Sequence, residues 1–293
     1  MTPAHALVKS VAEKITLPDV YHHISNLVTT PEARIDDFVD VINLDTTLAA
    51  RIIKIANSRF FGYSRKVNTV KQAISLIGVI QLHDLLLSSL AIRAFSGIPA
   101  VVINQEAFWS SCVYCGITAR LLAKKCRLPA SERLFTSGLL HEIGHIVMYA
   151  KIPELAQDVL FESEQNKQPL YILEREKLGY DYGQVGSEIM RFWHLSESYC
   201  DIASYHMEPE KAQQNQFEIQ IVNLARSIML AEELSPDQTV NSLFNKSNKL
   251  INTKLTDQDV ENIKTRARLY VDDVMDCLWP FSRNTVAECE ILL

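Results

Sequence analysis

His141 and His145 stand four residues apart, with Glu142 directly after the first. On one continuous helix this spacing stacks both imidazoles on one face. There they can grip a zinc ion while the glutamate polarises its bound water, as in zinc proteases. That chemistry needs a third protein ligand. In one class of such enzymes it is a His six residues past the second His, after a Gly at the third; here those positions hold Lys151 and Met148. Another class takes a Glu roughly twenty residues on, in a helical Glu-x-x-x-Asp. Glu164 has about that separation, but Gln168 replaces the Asp. Such proteases also set the zinc helix against a strand-rich lobe, and this chain shows little period-2 apolar alternation. A zinc protease does not fit.

The other metal-capable residues are no better placed. Of six cysteines, only Cys112 and Cys115 form a close pair, and no second pair follows. They read as two buried thiols on one helix face in a reducing compartment. The N-terminus Met1-Thr2-Pro3-Ala4-His5 carries neither a charged nor an apolar leader region, and no run of eighteen apolar residues occurs, so a cytoplasmic location is expected.

The elements that must position these residues are helical. The 293 residues are 47% apolar and 22% charged, and only 9 Gly and 10 Pro punctuate them. Apolar residues recur at helical spacing between the breaks. Asp45 can cap a helix carrying Leu48, Ile52, Ile53 and Ile55. Thr69-x-x-Gln72 forms a capping box ahead of Ala73-Ile74-x-Leu76-Ile77, and Gly78 ends that helix. Further helices are predicted over 80–95, 105–126 and 131–150, and from 153, 169, 181, 196, 215 and 256. The expected architecture is all-α, with about a dozen helices in two halves, 1–98 and 99–233, joined near Pro99. A helical appendage, 234–293, follows the Ser235-Pro236 break and carries Asp272, Asp273 and Asp276 on its last helix.

Several motifs together resemble one family. Ala56-Asn57-Ser58-Arg59-Phe60-Phe61-Gly62, then Val70-x-Gln72-Ala73-Ile74 and Ile77-Gly78, look like the signature of the HDOD domain. Leu17-Pro18, Asp45, Phe108-Trp109, Gly138 to Gly144 and Tyr205-His206-x-x-Pro209 follow in the family's order, so the resemblance spans about 17–210. HDOD domains are non-catalytic relatives of the HD metal-dependent phosphohydrolases. The resemblance implies a degenerate metal site at Ser111, His141, Glu142, Tyr182, His206 and Arg226. Serine is too weak a ligand to replace imidazole. The extra methylene of Glu142 moves the carboxylate from where the defining Asp of that site would hold it. Arg226 brings a permanent cation to a cation site, where like unit charges at 4 Å repel by about 4 kcal/mol at an effective dielectric of 20. A Glu142–Arg226 ion pair in place of the metal is expected, with no catalytic residue, no metal and no cofactor.

A second feature is electrostatic. Arg51, Lys54, Arg59, Arg65, Lys66 and Lys71 fall within 21 residues that hold no acid, while the whole chain carries −6, so the remainder carries −12. With Asn57 and the interleaved Phe60, Phe61 and Tyr63, the segment reads either as an interaction surface for an anionic ligand or partner, or as a solvated face whose aromatics plug the core. Asn57 reads either as a cap fixing the turn or as part of that surface. The acidic remainder argues against nucleic acid. What the resemblance implies about function is a bacterial signalling module that works by protein–protein contact in trans. Its implied partners are histidine kinases, response regulators or cyclic di-GMP enzymes, with no membrane contact. The alternative is a phosphohydrolase with a reduced ligand set of His141, Glu142 and His206.

Overall fold

A computed structural model of the chain describes residues 2–279 apart from 97, 99–101, 129–130 and 235–254. The described residues are helical, with no strand among them. The expected joint at Pro99 and break at Ser235-Pro236 lie outside the described residues, as does most of the segment between 234 and the last helix.

Two compact units differ in membership from the three expected segments. One comprises Met1–Thr16 with Ile98–Arg268, and the other Leu17–Gly97 with Leu269–Leu293. In the second unit, α2 (Asp19–Thr29), α3 (Ile35–Asn43), α4 (Thr46–Ala56), α5 (Val70–Ile77) and α6 (Val79–Ser96) follow one another, with α2 on α3 and α6, and α3 on α4 and α5. Local sequence sets their ends. Asp45 Oδ1 accepts the Leu48 N–H at 3.0 Å and caps α4. Thr69 Oγ1 accepts the Gln72 N–H at 3.2 Å, while the Gln72 side chain reaches back one residue further than a capping box requires, to the Asn68 N–H. Gly78 closes α5 at φ +91°, a conformation that an L side chain resists. The chain then bends by 114° into α6, which is buried along most of its length.

The first unit begins with α1 (Pro3–Lys9), which packs on α9 (Ile143–Lys151) and α12 (Tyr182–Phe192). The start of the chain is latched there. Trp193 Nε1 donates to the Ile15 carbonyl at 2.6 Å, and His5 Nδ1 lies 2.8 Å from Glu188 Oε2. α7 (Gln105–Lys125) packs on α8 (Ser131–Leu140) and on α14 (Gln216–Leu234). α10 (Pro153–Asn166), α11 (Leu170–Leu178) and α13 (Glu197–Tyr205) complete this unit, and α15 (Asp257–Leu278) is divided between the two units at Arg268. α15 buries Val260, Ile263 and Ala267 in its first half and Val274, Met275 and Leu278 in its last turns, so it contributes to core packing rather than standing as an appendage. Asp272, Asp273 and Asp276 lie on it as expected.

The predicted helix over 131–150 is two. α8 stops at Leu140, His141 and Glu142 form a turn, and α9 starts at Ile143. Apolar spacing runs through the turn unbroken, which is why periodicity alone gives a single helix. The backbone of neighbouring helices comes close on both sides of the turn. A Cβ on Gly138 would lie 2.8 Å from Gly116 Cα, and one on Gly144 would lie 2.0 Å from the Tyr182 carbonyl oxygen. α8 therefore touches α7, and α9 touches α12, at distances that only glycine permits.

The loop after α4 is held by one side chain. The Asn57 amide donates to the Ile53 and Val67 carbonyls at 2.8 and 2.7 Å, and its Oδ1 accepts the Val67 N–H at 2.8 Å. Phe60 plugs the core at 4% exposure. Asn57→Ala orphans the N–H of buried Val67 and is expected to cost about 2–3 kcal/mol. Asn57→Asp, which turns two donated bonds into carboxylate–carbonyl repulsion, does not rescue it. Urea unfolding midpoints of the three proteins measure both effects.

Candidate functional site

The turn at His141-Glu142, the start of α12, the end of α13 and the middle of α14 supply one polar cluster inside the first unit. Arg226 Nε donates to Glu142 Oε1 at 2.9 Å. Asn223, one turn earlier on α14, donates to the His206 carbonyl at 2.7 Å, so a single helix face holds both the carboxylate and the end of α13. His206 and His141 are fully buried, with ring centroids 5.0 Å apart in an edge-to-face arrangement. His145 follows the turn, on α9, and is linked to His206 through the ring of Tyr182. Its ring stacks on Tyr182 at 3.9 Å and on Tyr149 at 5.2 Å, so the two imidazoles of the His-Glu-x-x-His spacing do not form a pair on one helix.

The protonation of the two buried imidazoles follows from their partners. His141 Nδ1 is 2.6 Å from the Gly138 carbonyl and His206 Nδ1 is 2.9 Å from the Ala203 carbonyl. A carbonyl only accepts, so each Nδ1 carries the hydrogen and each Nε2 presents a lone pair. Neither Nε2 has a hydrogen-bond partner, and His141 Nε2 lies 3.5 Å from Glu142 Oε1. Burial holds both rings neutral, with the His206 pKa well below its ordinary value and the His141 pKa also lowered. Burial opposes the charge on Glu142 as well, but its surroundings, with the permanently charged Arg226 bonded to it, outweigh burial and keep that carboxyl well below the usual range.

The other expected positions fall as follows. Tyr182 is buried at the first position of α12, its ring 5.6 Å from that of His206, and burial raises its hydroxyl pKa well above the ordinary value. Ser111 is half-buried on α7, one turn before Cys115 and on the same face. The Cys115 thiol is pushed up by burial and then by Glu142. Cys112 and Cys115 are buried, and neither thiol is in a disulfide among the described residues.

Two lone-pair nitrogens and a carboxylate begin a metal site, but the fourth group is a guanidinium, which donates and cannot ligate, and whose charge opposes a divalent ion. Among the described residues no three or more His, Cys, Asp or Glu side chains are arranged to hold a metal ion. The residues present do not fit an HD-type metal.

Two supporting residues had no motif to announce them. Arg175 on α11 pairs with both Asp181 and Glu208, tying the segment before Tyr182 to the segment after His206. Glu174, 2% exposed, accepts the Tyr182 N–H at 2.9 Å, and its Oε1 is 3.9 Å from His145 Nδ1. Its position on the stripe of Leu170, Leu173 and Leu178 was the available signal, since a carboxylate on an apolar helix stripe needs a partner.

Most of the basic segment is engaged within the second unit. Lys54 Nζ donates to the Asp276 carbonyl at 2.6 Å, Arg59 Nε lies 3.2 Å from Asp273 Oδ2, and Lys71 Nζ lies 2.6 Å from Asp36 Oδ1. Arg51 is half-buried beside Arg93 and Asp45. Lys54, Arg59 and Lys66 face Asp273 and Asp276 across an open cleft of about 590 Å³.

The buried groups set the pH dependence of stability. Burial raises the Glu174 pKa to about 8 and lowers that of His145 to about 4. Below pH 6.5 the unfolded imidazoles bind protons that the folded ones refuse, so stability rises with pH up to that point; the folded Glu174 holds a proton that the unfolded chain releases above 4.5, so its contribution falls with pH up to about 8. Between pH 6.5 and 8 only Glu174 acts. The melting temperature is expected to fall across that window, and Glu174→Gln is expected to flatten the fall; an unchanged slope in the variant would remove Glu174 as its source.

Solved structures share this fold. An HDOD domain protein of unknown function from Geobacter sulfurreducens aligns over 94% of this chain and 98% of its own, with TM-score 0.76 at 18% identity. A Shewanella amazonensis SB2B protein, provisionally named a phosphohydrolase, aligns over 93% and 98% with TM-score 0.74 at 21% identity. A Marinobacter aquaeolei VT8 protein, provisionally named a signal transduction protein, aligns over 92% and 60% with TM-score 0.68 at 21% identity. A curated but uncharacterized Treponema pallidum (strain Nichols) protein is 23% identical over 210 residues, and the match spans 70% of this chain and 40% of that relative. The HDOD domain model matches residues 15–209, which include the Asn57 loop, the His141-Glu142 turn and His206, and the chain belongs to the HDOD domain family.

Proposed function

We propose that the chain is a non-enzymatic signalling module that acts through protein–protein contact with partners in trans, such as histidine kinases, response regulators or cyclic di-GMP enzymes. The observation that carries this reading is the Arg226–Glu142 bond at 2.9 Å, beside the two buried imidazoles. A guanidinium there supplies fixed positive charge and directional donors but no Lewis acid and no activated water. A scaffold without that chemistry has its surfaces to act with.

One observation favours a second reading. The partnerless Nε2 atoms of His141 and His206 have their Nδ1–H groups on backbone carbonyls, the arrangement that orients metal-bound histidines. A metal-dependent phosphohydrolase using His141, Glu142 and His206 would need Arg226 to swing away from Glu142. The names of the relatives divide between these two readings.

Metal analysis of purified protein separates them. The signalling reading expects well under one equivalent of transition metal and negligible hydrolysis of phosphomonoesters, phosphodiesters and nucleotides. One equivalent of iron, manganese or zinc, lost in His141→Ala, would overturn it.

The ion pair itself can be weighed. Removing one partner leaves the other charge without its counterion and is expected to cost about 3–5 kcal/mol, whereas replacing both costs much less. A double-mutant cycle on Glu142→Gln and Arg226→Met, read by urea unfolding, measures the coupling. Additive effects would show that the two side chains do not support each other in solution.

A further inference from the structure

A second group of chemically capable side chains lies in the second unit, where α2 packs on α6. Ser25 Oγ, on α2, is 2.9 Å from Nε2 of His83, on α6. The other ring nitrogen, Nδ1, is 3.7 Å from Asp84 Oδ1. Successive residues of a helix point roughly 100° apart. The approach of His83 to Asp84 therefore means that the ring is turned, with one nitrogen toward the carboxylate and the other toward the hydroxyl. No motif marks this arrangement, because 58 residues separate Ser25 from His83.

The carboxylate decides the tautomer. Asp84 is 6% exposed, and a shielded carboxylate favours an N–H directed at it, which puts the imidazole hydrogen on Nδ1 and the lone pair on Nε2. Nε2 then accepts the Ser25 O–H, the bond along which a general base takes a proton. The 3.7 Å separation on the Asp84 side is longer than a hydrogen bond, a looseness common where a base has no substrate beside it. Tyr21 stacks on His83 with ring centroids 5.1 Å apart and planes 28° apart, which fixes the plane of the imidazole. Burial pushes the Tyr21 hydroxyl up to about 12, so it stays protonated and no phenolate competes for the Ser25 proton.

A polar pin between two helices needs only the Ser25–His83 bond. A shielded carboxylate behind the imidazole and a ring stacked on its face add the orientation that marks an activated nucleophile. Ser25 is half-buried and the His83 side chain is 18% exposed, so both are reached from solvent. We propose that Ser25 is a nucleophile activated by His83, with Asp84 as the positioning residue, and that it takes up an acyl group from an activated ester. The bond from Ser25 Oγ to the acyl carbon forms as the hydroxyl proton passes to His83 Nε2. The leaving alkoxide or phenoxide takes that proton from Nε2 as its own bond to the acyl carbon breaks. Acyl-Ser25 and a free alcohol result, the imidazole is neutral again, and the balance needs no further reactant. This is a site of covalent modification, and it does not depend on the protein-contact reading above.

The test treats the full chain with p-nitrophenyl acetate and follows acetylation by intact mass and peptide mapping. One acetyl group on Ser25 is expected, added about a hundredfold faster than to the same residue in the urea-unfolded chain. Ser25→Ala is expected to remove it. His83→Gln keeps a hydrogen-bonding partner for Ser25 but is no base, so it is expected to slow acetylation by about a hundredfold while circular dichroism and the urea midpoint stay near wild type. A merely structural pin would leave that rate unchanged. Acetate absent from Ser25, acetate on His83 instead, or an equal rate in the folded and unfolded chains would each overturn the proposal, as would an unchanged rate in His83→Gln. The comparison of folded with unfolded wild type stands even if a variant fails to fold. A metal bound at the His141 cluster would sink the non-enzymatic reading and leave Ser25 untouched, whereas an inert Ser25 would leave that reading intact.

Discussion

The bond between Glu142 and Arg226 constrains everything around it. A carboxylate in the turn between two helices, shielded from water, keeps its charge only beside a compensating cation. That requirement fixes which residue of α14 faces the turn. It thereby fixes Asn223 one turn away on the His206 carbonyl, and with it the end of α13. Metal ions often perform this task by drawing ligands from separate helices to one point. A guanidinium does it with planar donors, and its charge survives at every pH at which the protein folds.

The same balance appears on the second unit with the signs arranged differently. Asp272, Asp273 and Asp276 occupy the last two turns of α15, where the helix dipole already places negative charge and where no base of the helix itself offsets it. Lys54 and Arg59 provide that offset from the end of α4 and its loop. These pairs are half-exposed and individually weak. Their effect is to give two exposed cations fixed partners, so the segment offers less unpaired charge than six bases in a row suggest.

Much of this could be read locally. Asp45, Thr69 and Gly78 mark helix ends because capping depends on residues within a turn of one another. The pairing of Glu142 with Arg226 followed from the family's motif order, since 84 residues of separation leave no spacing signal. The break at His141-Glu142 has no signal in the periodicity because the apolar period continues through it, while the close approach of Gly138 to Gly116 and of Gly144 to Tyr182 joins residues far apart in sequence. Arg175 escaped notice for a related reason, its two carboxylates lying on either side of α12 and α13. Asn57 was legible as a turn-fixing residue, though not as the link to Val67, which lies ten residues on.

The latch of Trp193 on the Ile15 carbonyl bears on how the chain matures on the ribosome. The first sixteen residues belong to a unit whose remaining members begin only at Ile98, and the helix on which α1 rests ends at Phe192. At about 5–20 residues per second, the indole that receives this segment is made roughly 10–40 s after it. In that interval the helices from Asp19 to Ser96 have all been synthesised and can condense, while the start of the chain stays undocked with its apolar Val8, Val11 and Ile15 in water. Synthesis order and assembly order are thus reversed for the stretch from Pro3 to Ile15, whose docking surfaces are all made after the helices from Asp19 to Ser96.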